Sequence, residues 1–215
     1  MNNLGDFVLS SYILPLGMGV ALLMQKRLSF VGLILWLYLL LTVFVEVGGA
    51  VLAFNGINNL WLYRIYMYAE LVFPGLVFLN QFSKRRGKIL VLIISLSAIV
   101  LTTITNLFDD WQSYASIQTV ITFGCAASII ISYFVEMFQL EKVFNPFKDV
   151  YFIIGATLLL GQSCTLIYFV LYNYLASGYF GSDILSILVG VNMSLVLFYN
   201  VLYSYALWVS RHRPT

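Results

Sequence analysis

Seven apolar segments, separated by short polar connections, follow one another along the chain. They lie at about 7–24, 29–53, 60–82, 89–106, 113–138, 149–176 and 182–209. A helix needs about 20 apolar residues to cross the hydrocarbon core of a bilayer, and these segments are near that length or longer. Their apolar runs are continuous, whereas the strands of a membrane barrel alternate. The pattern therefore predicts an all-α polytopic membrane protein, in which residues 1–215 form a single seven-helix transmembrane domain.

The composition leads to the same class. Hydrophobic residues make up 61% of the chain and charged residues only 9%, whereas soluble domains carry roughly 25% charged residues. A chain of 215 residues has too large a surface relative to its volume to hide so much apolar area from water. Lipid is the solvent in which such a surface is stable, so we expect membrane lipids to surround the bundle.

Basic residues lie almost entirely in one set of connections. Ten of the 11 lysines and arginines follow the first, third, fifth and seventh segments, beginning with Lys26 and Arg27 and ending with Arg211 and Arg213. The other connections carry asparagine and aspartate, including Asp109, but no lysine or arginine. Because basic connections stay in the cytoplasm, the pattern predicts an external N-terminus and a cytoplasmic C-terminus.

Three charged residues share the outer half of the predicted spans. Glu46 lies in the second span, and Arg64 and Glu70 lie in the third. Ionisable side chains at membrane depth are costly, so they normally face the bundle interior and have a partner. We expect the arginine to lie between the two glutamates in a buried triad, which either joins two helices or serves a function. Glu70 is the deepest of the three and is therefore the candidate for binding a proton.

Further polar and aromatic residues recur at comparable depth. Gln162 and Asn192 match the depth of Glu70, and Gln118 and Thr122 begin a polar stripe on the fifth span. The predicted site, where a small-molecule ligand or a proton binds, comprises Glu46, Tyr63, Arg64, Tyr66, Glu70, Gln118, Thr122, Gln162 and Asn192. Hydrogen bonding between helices and the packing of aromatic rings explain the same residues without any ligand, and the sequence leaves both interpretations open.

Several catalytic sets are missing from the sequence. His212 is the single histidine, which excludes a three-histidine zinc hydrolase and a Ser–His hydrolase within the membrane. The seventh span has no lysine, so it cannot hold retinal covalently. We therefore expect no catalytic residues, no cofactor, no metal site and no nucleic-acid partner. An enzyme that uses Glu46 and Glu70 as a carboxylate pair is a minor alternative.

One stretch resembles a known group of proteins. The segment Asn58-Asn-Leu-Trp-Leu-Tyr-Arg-Ile-Tyr-Met-Tyr-Ala-Glu70 resembles a turn and third helix found in small seven-span proteins that are common in Bacteroidota. The specific motif covers about residues 55–74, and the seven-span layout extends over nearly the whole chain. The resemblance implies a bacterial inner (cytoplasmic) membrane, and it implies no substrate.

Two functional hypotheses follow from these patterns. The leading one is a sensor or accessory subunit of a membrane complex, which binds a small molecule or lipid and acts through a cytoplasmic or membrane protein partner. The alternative is a small proton-coupled transporter or channel that uses Glu70. A purely structural subunit would instead have a packed interior without a cavity.

Overall fold

The computed structural model describes residues 10–109, 116–140, 145–174 and 182–211, except for the side chains of 116, 169–174 and 182–185. Within these ranges every regular element is a helix, which confirms the all-α prediction. The seven helices are α1 (Ile13–Met24), α2 (Phe30–Phe54), α3 (Leu60–Phe78), α4 (Arg85–Phe108), α5 (Ser116–Gln139), α6 (Val150–Tyr174) and α7 (Ser182–Ser210).

Local side-chain chemistry sets where two of the helices begin. The Ser29 hydroxyl accepts a hydrogen bond from the Gly32 amide at 3.2 Å and caps α2. One carboxylate oxygen of Asp149 accepts from the Tyr151 and Phe152 amides, each at 2.9 Å, and caps α6. These bonds satisfy backbone amides that have no partner within the helix itself.

A left-handed residue ends each of the first two helices. Gly56 has a φ of 71° after α2, where the Ile57 amide donates to the Leu52 carbonyl at 2.9 Å. Lys26 has a φ of 53° after α1 and occupies the same position in an equivalent turn. Glycine adopts this conformation without strain, whereas lysine does so at a cost of about 1 kcal/mol or more.

Among the described residues, five helices are long and apolar enough to cross a membrane: the apolar stretches are Phe30–Phe54, Arg85–Phe108, Ile117–Gln139, Val150–Tyr168 and Ser186–Ser210. Large apolar side chains such as Phe44, Val100 and Ile131 point away from the bundle and are exposed. Apolar helices with an apolar outer surface are typical of lipid-embedded bundles. The chain is therefore an integral membrane protein.

The predicted and observed helix boundaries differ at the start of α1 and between α3 and α4. The first segment is predicted from residue 7, of which residues 7–9 lie outside the described part of the chain, and α1 begins at Ile13. The third segment is predicted to reach residue 82 but its helix ends at Phe78, and α4 begins at Arg85 rather than at 89. Hydropathy marks only the apolar part of a helix. It therefore leaves out the charged first turn of α4, which is also helical. The Glu136 carboxylate of α5 holds this connection by accepting from the Ser83 amide at 2.9 Å and from the Ser83 hydroxyl.

The helices pack mainly against their neighbours in sequence, and α7 closes the bundle against α1 and α2. In addition, α3 packs against α5 as well as α2 and α4. Between α1 and α2, the Trp36 indole donates to the Leu16 carbonyl at 3.2 Å. This arrangement surrounds the faces of α2 and α3 that carry Glu46 and Glu70.

The two ends of the bundle differ in charge and in packing. The basic end is the one where α1 and α7 finish and α4 and α6 begin; the opposite end carries the α2–α3 turn and Asp109. Side chains that are fully buried near the basic end form a dense apolar core: Leu35, Phe78, Ile154, Ala206 and Leu207. The half of the bundle toward the opposite end contains the polar residues described next.

Candidate functional site

A cavity of about 510 Å³ lies between the helices. Its walls come from α2, α3, α5, α6 and α7, together with Tyr12, which directly precedes α1. None of the described lining residues comes from α4. Sites for small molecules typically have volumes of about 300–1,000 Å³, so this space is large enough for an organic ligand.

Seven of the nine residues predicted for the site line this cavity. They come from five different helices and are Glu46, Tyr63, Tyr66, Glu70, Thr122, Gln162 and Asn192. Sequence reasoning grouped them by their depth along each span. The bundle brings them together because helices α2, α3, α5, α6 and α7 all turn a polar face toward the same space.

The α3 wall follows from helical spacing. Tyr63, Tyr66, Met67 and Glu70 stand at i, i+3, i+4 and i+7, so they share one face of the helix. All four line the cavity. Pro74 lies one turn beyond Glu70 within the same helix, where α3 enters the packed core.

Hydrogen bonds tie the α3 wall to α2. The Thr42 and Tyr66 hydroxyls form a hydrogen bond at 2.7 Å. The Tyr63 hydroxyl donates to Oε2 of Glu46 at 3.2 Å. The ring of Tyr38 stacks on Phe73 with the ring centroids 4.1 Å apart. Because these contacts fix the side chains before any ligand arrives, this wall is pre-organised.

Four of the tyrosines that line the cavity with Glu70 also interact with its carboxyl group electrostatically: Tyr12, Tyr38, Tyr66 and Tyr203. Tyr12 directly precedes α1, and the others belong to α2, α3 and α7. We call this set the tyrosine box. Glu46 is the further charged neighbour of Glu70, so two carboxyl groups share one cavity.

One polar side chain of the cavity wall, Gln162, lacks a partner among the described residues. Neither its side-chain oxygen nor its nitrogen makes a hydrogen bond, although both atoms are buried. A buried polar group without a partner is costly, so Gln162 marks a position where a ligand or water can bind.

The predicted triad of Glu46, Arg64 and Glu70 is not formed. Arg64 is 1% exposed and lies on another face of α3, where its Nη2 pairs with Asp109 at 2.8 Å. Its Nη1 donates to the Asn106 side-chain oxygen at 3.1 Å. Since Arg64 and Glu70 are six residues apart, they lie roughly 120° apart around a helix with 3.6 residues per turn. Similar depth was therefore insufficient to bring them together.

Gln118 belongs to the same second cluster. Its Nε2 donates to Asn106 at 3.2 Å and to Asp109 at 3.3 Å. On the other side, the Asn106 amide donates to the Tyr68 hydroxyl at 3.1 Å. This polar cluster of Tyr68, Arg64, Asn106, Asp109 and Gln118 joins α3, α4 and α5 outside the cavity. Arg64 and Gln118 thus occupy a structural junction, which corrects their place in the predicted site.

Several lining residues on α2 and α7, and one just before α1, are not part of the predicted site. They are aromatic or amide side chains: Tyr12, Tyr38, Tyr199, Asn200 and Tyr203. Their helical spacing from residues that belong to the predicted site is the sequence signal that could have identified them. Tyr38 lies two turns before Glu46, and Tyr199 and Tyr203 follow Asn192 at i+7 and i+11, on one face of α7.

No protein-family model, curated protein or solved structure matches the chain. The chemistry of the site must therefore be inferred from its own residues. In the described part of the chain, no group of three or more histidine, cysteine, aspartate or glutamate side chains could hold a metal ion. Cys125 and Cys164 are free thiols. The arrangement offers carboxylates, hydroxyls, amides and aromatic surface, which together can bind a polar organic molecule.

Proposed function

We propose that the protein spans the membrane seven times, with its N-terminus outside, and binds a small organic or lipidic molecule in the cavity as a sensor or accessory subunit. The two helices beyond the five apolar ones pack within the same bundle: α1 against α2 and α7, and α3 against α2, α4 and α5. The sequence resemblance around residues 55–74 supports placing it in a bacterial inner membrane.

The charge distribution supports this orientation. Lys26, Arg85, Lys148 and Arg211 lie at the basic end, and Asp109 lies at the opposite end. The Arg211 guanidinium covers the ring of Trp208 at 3.5 Å. Tryptophan and arginine at the end of a span are typical of the membrane interface. The basic end is therefore assigned to the cytoplasm, and the cavity to the outer half of the membrane.

The observation that carries the binding proposal is the unpartnered amide of Gln162 in the cavity wall. Helices that serve only to support one another would bury such a group against a partner. Gln162 lines a space of about 510 Å³ that Glu46 and Glu70 also line. A bound molecule with polar groups supplies the missing hydrogen bonds.

Filling the cavity provides the test. Gly161 lines it, and a Cβ at this position would lie 3.6 Å from the Tyr199 ring, so a larger side chain must enter the space. We expect native mass spectrometry of the mildly purified protein to show a bound molecule that Gly161→Phe loses. Gly124→Phe is the matched control, since nothing lies within 4 Å of that exposed glycine. A wild type with no bound molecule, or a Gly161→Phe variant that retains it, would contradict the proposal.

A proton-coupled transporter is the second candidate. It is favoured by the Glu70 carboxyl, which lines the cavity without a basic ion-pair partner among the described residues. This candidate predicts that Glu70→Gln abolishes pH-gradient-driven uptake of the bound molecule into proteoliposomes. Glu136→Gln is the control, because its carboxyl holds the α3–α4 connection instead. Flux that is equal in both variants would eliminate a coupling role for Glu70.

A further inference from the structure

The charges that line the cavity are all of one sign. Glu46 and Glu70 supply two carboxyl groups, and none of the described lining residues is lysine, arginine or histidine. Arg64, the basic residue of the same helix, is paired with Asp109 on another face of α3. A carboxylate within a bundle is stable only when a positive charge compensates it, and otherwise it takes up a proton. A cation that enters the cavity supplies this charge to an ionised Glu46 or Glu70.

Aromatic rings share the cavity with Glu70. The tyrosine box brings rings from α2, α3 and α7, and the ring of Tyr12 just before α1, into the space that Glu70 lines. Tyr38 and Tyr66 are held in place, since their ring centroids lie 6.2 Å apart in a stacked arrangement and the Tyr66 hydroxyl contacts Thr42. Aromatic rings attract cations, and a ring of aromatic side chains is a common way to bind quaternary ammonium groups.

We propose that the cavity binds an organic cation, either a protonated amine or a quaternary ammonium compound. The charged nitrogen lies beside Glu70 in the tyrosine box, and the rest of the molecule extends toward Leu158, Val196 and the amide of Gln162. This assignment rests on the proposed ligand-binding function and defines the chemical class of the ligand. It also assigns the unpartnered amide of Gln162, which binds a polar group of the same molecule.

The shape of the cavity favours an organic cation over a metal ion. Hard metal cations take six or more oxygen ligands, several of them usually carboxylates. Among the described residues no group of three or more histidine, cysteine, aspartate or glutamate side chains could hold a metal ion, and the cavity volume of about 510 Å³ exceeds the space that one ion fills. Its lining also includes apolar side chains such as Phe123, Leu158 and Val196, which suit the carbon skeleton of an amine.

Binding of defined probes to the purified wild-type protein in nanodiscs tests the proposal. The probes are choline, tetraethylammonium and putrescine, measured by isothermal titration at constant ionic strength. The neutral isostere 3,3-dimethyl-1-butanol has the shape of choline without its charge. We expect at least one organic cation to bind saturably and the neutral isostere to bind at least about tenfold more weakly, because desolvated cations gain most from aromatic and carboxylate neighbours.

Point variants assign the binding to named groups. We expect Glu70→Gln to weaken the cation by at least about tenfold, with a smaller loss for Glu46→Gln, while Glu136→Gln binds as the wild type does. Tyr203 lines the same cavity as Glu70. There, Tyr203→Phe keeps the ring and is expected to retain binding, whereas Tyr203→Leu removes it and weakens binding. Thermal unfolding of each variant reports its folding.

The outcomes separate the class of ligand from the binding function itself. Equal binding of choline and its neutral isostere would overturn the cation assignment. Saturable binding of Na⁺ or Ca²⁺ to the cavity that Glu70→Gln weakens to the same extent would also overturn it. Failure of all three organic cations to bind would also overturn it. The binding function still stands in each of these cases if the wild type retains a molecule that Gly161→Phe loses, so the two failures are distinguishable.

Discussion

Replacing Arg64 by methionine is expected to lower the free energy of unfolding by about 3 kcal/mol, because the change breaks a buried ion pair. Arg64 is 1% exposed, and its guanidinium donates to Asn106 at 3.1 Å and to Asp109 at 2.8 Å. Methionine fills much of the same volume but provides neither bond. The junction between α3 and α4 then loses its only described ion pair, so these helices separate more easily.

A double-mutant cycle with Asp109→Asn isolates the charge–charge part of this effect. Asp109 is 35% exposed, so water screens part of the interaction and we expect a coupling energy of about 1 kcal/mol. Arg64→Lys keeps the charge but cannot make both bonds in the same geometry, and it should fall between the wild type and Arg64→Met. Unfolding in mixed detergent micelles gives all of these values. An Arg64→Met variant within 0.5 kcal/mol of the wild type, roughly the range of ordinary surface substitutions, would refute the structural role.

The polar cluster and the cavity share a single helix, which links stability to function. Arg64 anchors one face of α3 to α4, while Tyr63, Tyr66 and Glu70 present the other face to the cavity. A helix with polar groups on two faces can turn about its axis only by breaking bonds on both. The hydrogen bonds of Arg64 therefore hold Glu70 in register with the tyrosines from the other helices.

The helices could be predicted well from the sequence because each segment must by itself be apolar enough to lie in lipid. A continuous apolar run of about 20 residues identifies a membrane helix without reference to its neighbours. The bounds of α2 and α7 accordingly agree with the predicted segments to within one residue. The errors at the end of α3 and the start of α4 arise where the chain leaves the apolar region and a tertiary contact, that of Glu136, holds the connection.

The residues that line the cavity were predicted in part, whereas the ion-pair partner of Arg64 was predicted wrongly. Depth along a span can be counted from sequence, and it grouped Glu70, Gln162 and Asn192, which do line one cavity. Rotation about the helix axis decides which neighbour a side chain meets, and depth carries no information on it. Asp109 lies at the end of α4 and was treated as a loop residue, so its pairing with Arg64 was missed.

Gly49→Leu is expected to lower the free energy of unfolding by about 2 kcal/mol, because α2 and α3 have no room for a side chain there. A Cβ at Gly49 would lie 2.8 Å from the Tyr63 hydroxyl and 3.2 Å from its ring. The Asn59 amide also donates to the Gly49 carbonyl at 2.9 Å. Overpacking at such a contact typically costs about 1–3 kcal/mol, which exceeds the gain of under about 1 kcal/mol from removing a helical glycine.

Tyr63 is the side chain that must move, so the substitution also breaks its hydrogen bond to Glu46. Combining Gly49→Leu with Tyr63→Ala removes the clashing ring, and the double variant should be less destabilised than the sum of the two single changes. Gly17→Leu on α1 is the matched control, since nothing lies within 4 Å of that exposed glycine. Thermal unfolding in detergent compares the four variants with the wild type. A Gly49→Leu variant as stable as Gly17→Leu would show that α2 and α3 do not approach closely at Gly49. The position of Glu46, which depends on its hydrogen bond to Tyr63, would then be wrong as well.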